Sequence, residues 1–332
     1  MSITGLGPHG ERAAPPSRIT LSGADIDTAR DGRFTVAVVL HTVESDYSKQ
    51  TLSGIVGTLG NCATRVTEVV DCGFSPELQV SALERLSREP LDAIISIPVD
   101  NVAVADAHRL VSAAGKRLIL HDNVPTGLLP GSDYTTLISA DNFGLGLIGA
   151  ELLSPFVDDG REVVILTYGV DFYATNEREL AFGRWMRNNR PKVKVRTHRF
   201  SSLETVRETT RNLLGTHPAL AGMFVVWDTP AMDAVSVLKD LGTSLPVTTV
   251  DLGRSAAISL AVDSPIIGIA AQQPYLQGVA TAQAAILSML GRTVPGWIAL
   301  PGLAVTRQNV VESYQLVWNA AAPSEILETQ IK

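Results

Sequence analysis

The chain has 332 residues, 45% of them apolar and 18% charged, with a formal net charge of -7. That length fits two domains of ordinary size, and the composition fills a substantial core and excludes a disordered chain. An acidic balance without a Lys/Arg run longer than a pair excludes a basic nucleic-acid surface.

Residues 1–33 are polar and carry Pro15-Pro16. They are expected to form a leader that is disordered or loosely packed. They show neither the apolar h-region of a secretion signal nor a lipidation cysteine. No apolar stretch exceeds about eight residues, well short of the ~20 that span a bilayer. Two compartments therefore stay open: an extracytoplasmic one with the signal removed, and the cytoplasm.

Beyond the leader, strand and helix patterns alternate. Residues 34–40 form a continuous apolar run with three valines, the mark of a strand buried on both faces. Residues 48–59 read as a helix and 65–70 as a strand. Ser75 and Pro76 open the next helix as N-cap and first residue, and Leu78, Ala82, Leu83 and Leu86 recur at helical spacing. Residues 93–97 are a strand, Asp100 is placed to cap the following helix, and 117–120 and 137–139 are strands. The alternation then restarts. Strands are expected at 162–168, 193–199, 223–227, 247–250 and 266–271, with helices at 177–188, 204–214 and 232–241. A long helix at 275–290 and a strand-like stretch at 298–305 follow.

Repeated strand–helix units predict parallel sheets covered by helices, and two sets of them predict two similar Rossmann-like α/β lobes. The late helix and strand predict several crossovers between the lobes. The expected division gives 34–140 with 273–297 to one lobe and 141–272 with 298–319 to the other. Residues 320–332 show no pattern and read as a tail. Cys62 and Cys72 flank a strand of about 20 Å, beyond the ~7 Å that a disulfide allows between Cα atoms, so both read as free buried thiols.

Ligands of open parallel sheets bind beyond the carboxyl ends of the strands. The residues found there are Ser45, Asp46, Tyr47 and Ser48, then His121, Asp122 and Asn123, then Phe172 and Arg178, then Phe200, Trp227 with Asp228, Asp251 and Gln272. Carboxylates, amides and a guanidinium suit a polyhydroxylated ligand, whose hydroxyls both donate and accept. Aromatic rings cover the apolar face of a sugar.

These segments resemble the type I periplasmic sugar-binding proteins, the ribose-binding-like solute receptors of ABC importers, whose fold also forms the effector core of LacI-type repressors. The likeness spans about 34–315. It rests on Thr42-Val43-Glu44-Ser45-Asp46-Tyr47, Leu118-Ile119-Leu120-His121-Asp122-Asn123, Ser139-Ala140-Asp141-Asn142 with Gly146, Asn176-Glu177-Arg178 with Phe182, Trp227-Asp228 with Ala234, Val250-Asp251, and Ala271-Gln272-Gln273-Pro274 with Gly278. The resemblance implies a stacking role for Tyr47, hydroxyl binding by Asp122, Asp251 and Gln272, and a central cation at Arg178. It also implies a membrane permease as partner and a monomeric receptor. Three positions depart from the family pattern: Asn123 stands for an arginine, Trp227 for an asparagine, and Ser48 for a frequent phenylalanine.

Other readings are weaker. Gly144, Gly146 and Gly149 spell a dinucleotide fingerprint, but the next strand ends in Thr167-Tyr168 instead of an acid, so close helix packing is expected. The six histidines show no metal-ligand spacing. Asp122 and Asp251 lack the nucleophile of an acid–base enzyme, and no cofactor is implied. The leading expectation is a binding protein that closes about a hinge on a small sugar or polyol. Arg178→Ala is expected to abolish binding with the fold intact. The alternatives are a cytoplasmic sugar sensor without a DNA-binding domain, since 19–29 is too short for a helix-turn-helix, and a sugar-modifying α/β enzyme.

Overall fold

The computed structural model describes residues 3–262 and 264–330. The first lobe opens with α1 (Gly23–Gly32), β1 (Thr35–Leu40), α2 (Asp46–Asn61), β2 (Arg65–Asp71), α3 (Pro76–Ser87), β3 (Ala93–Ser96), α4 (Ala105–Ala113), β4 (Arg117–His121) and β5 (Thr136–Ala140). The second contains α5 (Asn142–Leu153), β6 (Glu162–Tyr168), α6 (Tyr173–Asn189), β7 (Lys194–Phe200), α7 (Val206–Thr216), β8 (Leu220–Val225), α8 (Asp228–Asp240), β9 (Val247–Val250), α9 (Arg254–Ala261) and β10 (Ile266–Ala271). The chain returns to the first lobe for α10 (Pro274–Met289) and β11 (Trp297–Leu300). It then re-enters the second for β12 (Leu303–Val305), α11 (Val310–Trp318) and α12 (Ser324–Leu327).

The sheets run β11-β5-β4-β3-β1-β2 and β12-β10-β9-β8-β6-β7, so the lobes repeat one topology. All pairings are parallel except β10 with β12. The inner strands of each sheet are buried on both faces, whereas the edge strands β2 and β7 are largely exposed. Val36, Val38 and Leu40 face one apolar cluster with α10, while Ala37 and Val39 face another with α3. Such two-sided burial is why the strands read as unbroken apolar runs rather than alternating ones.

The chain passes between the lobes after β5, after β10 and after β11. The stretch 298–305 is therefore two strands, since Ile298–Leu300 extend the first sheet and Leu303–Val305 the second. The expected boundary at 298 moves to Pro301-Gly302, whose residues break the strand. Ser75 caps α3 as anticipated, although Leu78 is exposed. Asp100 accepts from Val102 and Ala103 amides, so it caps the turn before α4 rather than the helix.

The described part of the leader, 3–33, is packed, contrary to expectation; residues 1–2 lie outside the described residues. Ser22 and Asp25 form a reciprocal capping box on α1, Ile19 and Ala29 are fully buried, and Ala14 bridges Ile298. Thr4 and Gly5 donate to the Asp141 carboxylate at the first crossover. The stretch after Asn319 also packs, with Ala322 and Ile326 in the second-lobe core.

Gly146 and Gly149 do serve packing. A Cβ on Gly146 would lie 2.3 Å from the Arg178 carbonyl, and one on Gly149 2.5 Å from the Phe224 ring. Cys62 and Cys72 are free and buried. Burial, with help from Asp71, pushes the Cys72 thiol up to about 12, and the thiolate is the reactive form. A thiol-specific reagent is therefore expected to leave Cys72 unmodified in the native protein and to label it once denaturant is added. Labelling at equal rates in both states would contradict this burial.

Candidate functional site

Topologically equivalent positions of the two lobes build the site. Asp122 follows β4 and Asp251 follows β9, the equivalent strand of the second sheet. Both adopt left-handed backbone, at φ 58° and 73°, a conformation that costs a non-glycine residue about 1–3 kcal/mol and gathers at functional sites. The two carboxylates face one cavity of about 480 Å³ between the lobes.

Arg178 from α6 is the central cation, with 3% of its surface exposed. Its Nε donates to Asn142 Oδ1 and its Nη1 to the Val226 carbonyl, each at 2.9 Å. Its Nη2 lies 4.0 Å from Asp122 Oδ2. Asn142 Nδ2 donates to Asp122 Oδ1 at 3.3 Å, and Gln272 Nε2 to Asp251 Oδ1 at 2.7 Å. One oxygen of each aspartate, Oδ2, is left without a hydrogen-bond partner among the described residues.

The cavity wall is aromatic. Trp227 stands edge-on to Tyr168, with centroids 5.5 Å apart, and Phe74, Phe172 and Tyr47 complete the lining. The Tyr47 hydroxyl bonds His121 Nε2 at 2.9 Å, and His121 Nδ1 bonds Thr281 Oγ1 at 2.7 Å. Burial drives His121 down to about 3, so it is a neutral strut for Tyr47 and no base for Asp122.

The structure brings together Ser45, Tyr47, Asp122, Phe172, Arg178, Trp227, Asp251 and Gln272 around the cavity. Three expected residues are elsewhere. Ser48 is fully buried and bonds the N-cap Ser45. Asn123 is fully buried; its Nδ2 donates to the Pro98 carbonyl and its Oδ1 accepts from the Tyr173 amide of the other lobe. It clamps the lobes and does not reach the cavity. Phe200 packs behind Tyr168 and Trp227. Cavity residues outside the expected binding set include Asp228, Asp46, Tyr168 and Thr175. Asp46 and Asp228 were already visible beyond strand ends.

Burial and the neighbouring Asp251 push the partly exposed Asp228 up to about 7. A carboxyl raised from its unfolded value of about 3.9 makes the folded state bind the extra proton. Stability then falls as pH rises through roughly 4–7. Asp228→Asn is expected to raise the melting temperature more at pH 8 than at pH 5. An equal shift at both pH values would contradict the assignment.

Two doubly wound lobes joined by three crossovers, with a polar cleft lined from both sides, define the bilobal binding-protein class. The chain belongs to the periplasmic binding protein domain family, whose profile matches residues 36–293. It is 24% identical over 270 residues to the ribose import binding protein RbsB of Bacillus subtilis, covering 81% of this chain and 86% of that one. An ABC transporter solute-binding protein from Agrobacterium vitis, bound with α-D-tagatopyranose, superimposes with a TM-score of 0.79 at 20% identity, covering 87% of this chain and all of the other. A second from Agrobacterium vitis, with bound allitol, gives 0.74 at 20% identity, covering 85% and 98%.

Proposed function

We propose that this protein is the solute receptor of an ABC importer, taking a small sugar or polyol into the cleft and releasing it unchanged. The carrying observation is the cavity between the lobes, to which both lobes contribute carboxylates and rings. Hydroxyls of a ligand donate to Asp122 Oδ2 and Asp251 Oδ2 and accept from Arg178. Hydrogen bonds to charged groups contribute about 1.5–3 kcal/mol each. Four or five of them, less the ordering penalty, reach micromolar affinity, about -8 kcal/mol. Trp227 and Tyr168 cover the C–H face.

All of these contacts exist together only when the lobes are closed, so ligand shifts the population toward that form. In this reading the closed form docks on a membrane permease as a monomer, on the extracytoplasmic side. The relatives support the reading: one imports ribose by name, and two others hold a ketohexose and an alditol.

A thermal-shift screen over pentoses, hexoses and alditols tests it. A ligand at 100 times its Kd adds about 2.7 kcal/mol to the folded state, a rise of a few degrees for a protein of this size. The rise should vanish in Trp227→Ala. Melting temperatures unmoved by every sugar and polyol would count against the proposal.

A further inference from the structure

The charge around the cavity is one-sided. Glu44, Asp46, Asp122, Asp228, Asp233 and Asp251 line it, and Arg178 is the one Lys or Arg among its lining residues. Arg178 is already committed to Asn142, Val226 and the neighbourhood of Asp122. Arg254, whose amide reaches the cleft, pairs its side chain with Glu325 at 3.0 Å.

Two backbone amides relieve part of this charge. Gly253 donates to Asp228 Oδ2 at 2.9 Å, and Arg254 donates to Asp46 Oδ2 at 2.8 Å across the cleft. The carboxylates of both lobes therefore converge on one turn: a Cβ on Gly253 would meet Asp228 Oδ2 at 2.2 Å and Asp46 Oδ2 at 3.2 Å. Asp251 and Asp122, 8% and 5% exposed, both line the cavity, and Asp122 Oδ2 has Arg178 Nη2 at 4.0 Å.

A neutral hydroxyl satisfies a carboxylate oxygen but brings no charge. Closing the lobes over a neutral ligand takes water from these acids and leaves their charge uncompensated, which is the costly way to bury an ion. A protonated amine brings the counter-charge and three donors. Trp227 and Tyr168 also line the cavity, and aromatic rings attract a cation.

We propose that the preferred ligand is an amine-bearing polyol, an amino sugar or amino alditol, whose ammonium group lies on the Asp228–Asp251 side of the cavity with its hydroxyls toward Arg178 and Asp122. This rests on the sugar-receptor reading and specifies the ligand class within it.

Protonation gives the idea a second handle. Asp228 is faced by Asp251 and Asp46; Glu44, Asp233 and Arg178 also line the cavity, as does His41, which burial lowers to about 4. A neutral ligand is best received with Asp228 protonated, so its binding takes up a proton and tightens as pH falls. An ammonium is best received with Asp228 ionised, so its binding releases that proton and tightens as pH rises from 5 to 7.

The test is calorimetric titration of the full chain with matched pairs: alditols against their 1-amino-1-deoxy derivatives, and hexoses against 2-amino-2-deoxyhexoses. The expected result is at least about tenfold tighter binding of the amine in one pair at pH 7, a difference of 1.4 kcal/mol, with the ratio growing from pH 5 to pH 7. Asp228→Asn should shrink that ratio while the neutral partner still binds, and Asp251→Asn should shrink it while weakening both partners, since Asp251 also takes a hydroxyl. Equal or tighter binding of the neutral members overturns this inference and leaves the sugar-receptor reading standing. A preference unchanged in both variants overturns the assignment to these acids. Silence from every pair overturns both readings.

Discussion

Arg178→Ala is expected to lower the unfolding free energy by about 3 kcal/mol or more, in addition to abolishing ligand binding. The sequence reading takes it as a central cation of the site whose loss spares the fold. The structure places it in the interior, where it offsets two buried aspartates and fills two hydrogen-bond acceptors. Without it, Asp122 and Asp251 keep their burial and lose the charge that holds their protonation down. Asn142 Oδ1 and the Val226 carbonyl lose their donor, at about 1–3 kcal/mol for each group left unpaired. Arg178→Lys keeps the charge but not the planar fork, so it should fall between wild type and alanine. Urea denaturation of the ligand-free protein measures both. An alanine variant as stable as wild type would show that the aspartates do not depend on Arg178.

The second large effect lies away from the cavity. Helices α2 and α10 cross with their backbones in contact. A Cβ on Gly278 would fall 2.1 Å from the Thr51 carbonyl, and one on Gly54 2.2 Å from the Tyr275 carbonyl. Neither obstacle is a side chain that can turn away, so the helices must separate. Overpacking of this kind costs about 1–3 kcal/mol, and the double variant Gly54→Ala/Gly278→Ala should approach the top of that range or exceed it. Function follows the packing, because α2 begins at the Ser45–Tyr47 loop and α10 follows Gln272 and carries Thr281, which holds His121 and through it Tyr47. Each single variant is therefore expected to weaken ligand binding as well as stability. Denaturation midpoints together with ligand titration check this; unchanged midpoints would contradict the close crossing.

The site was legible where a rule about strand ends applied. Asp122, Asp251 and Gln272 were found because each directly follows a strand that the valine and isoleucine runs mark. Asn123 was misplaced because adjacency in sequence is a poor guide past a left-handed residue. The positive φ at Asp122 turns the chain, so the next side chain meets Pro98 and Tyr173 instead of the cavity. Phe200 ends the edge strand β7, one strand away from β6, and so stands behind Tyr168 instead of beside a ligand. Tyr168 itself ends β6 and was passed over as the residue that spoiled a dinucleotide motif.

The first 33 residues were misread for another reason. Their polarity suggested loose packing, yet Ser22-x-x-Asp25 is a capping box written in the sequence, and single apolar residues such as Ile19 and Ala29 suffice to seat a short helix on an existing core. The same holds after Asn319, where Ala322 and Ile326 are the anchors. The last crossover was hidden because both strands flanking Pro301-Gly302 are apolar, and only their partners assign them to different sheets.

A receptor of this kind must hold a hydroxylated ligand in its cleft without changing it. Calorimetric titration with sugars, alditols and their amines, followed by NMR of the ligand recovered after prolonged incubation, measures this directly. Saturable binding at one site per chain, with the ligand recovered intact, is the predicted result. A new product in the recovered ligand, or no binding by any member of the set, would contradict it.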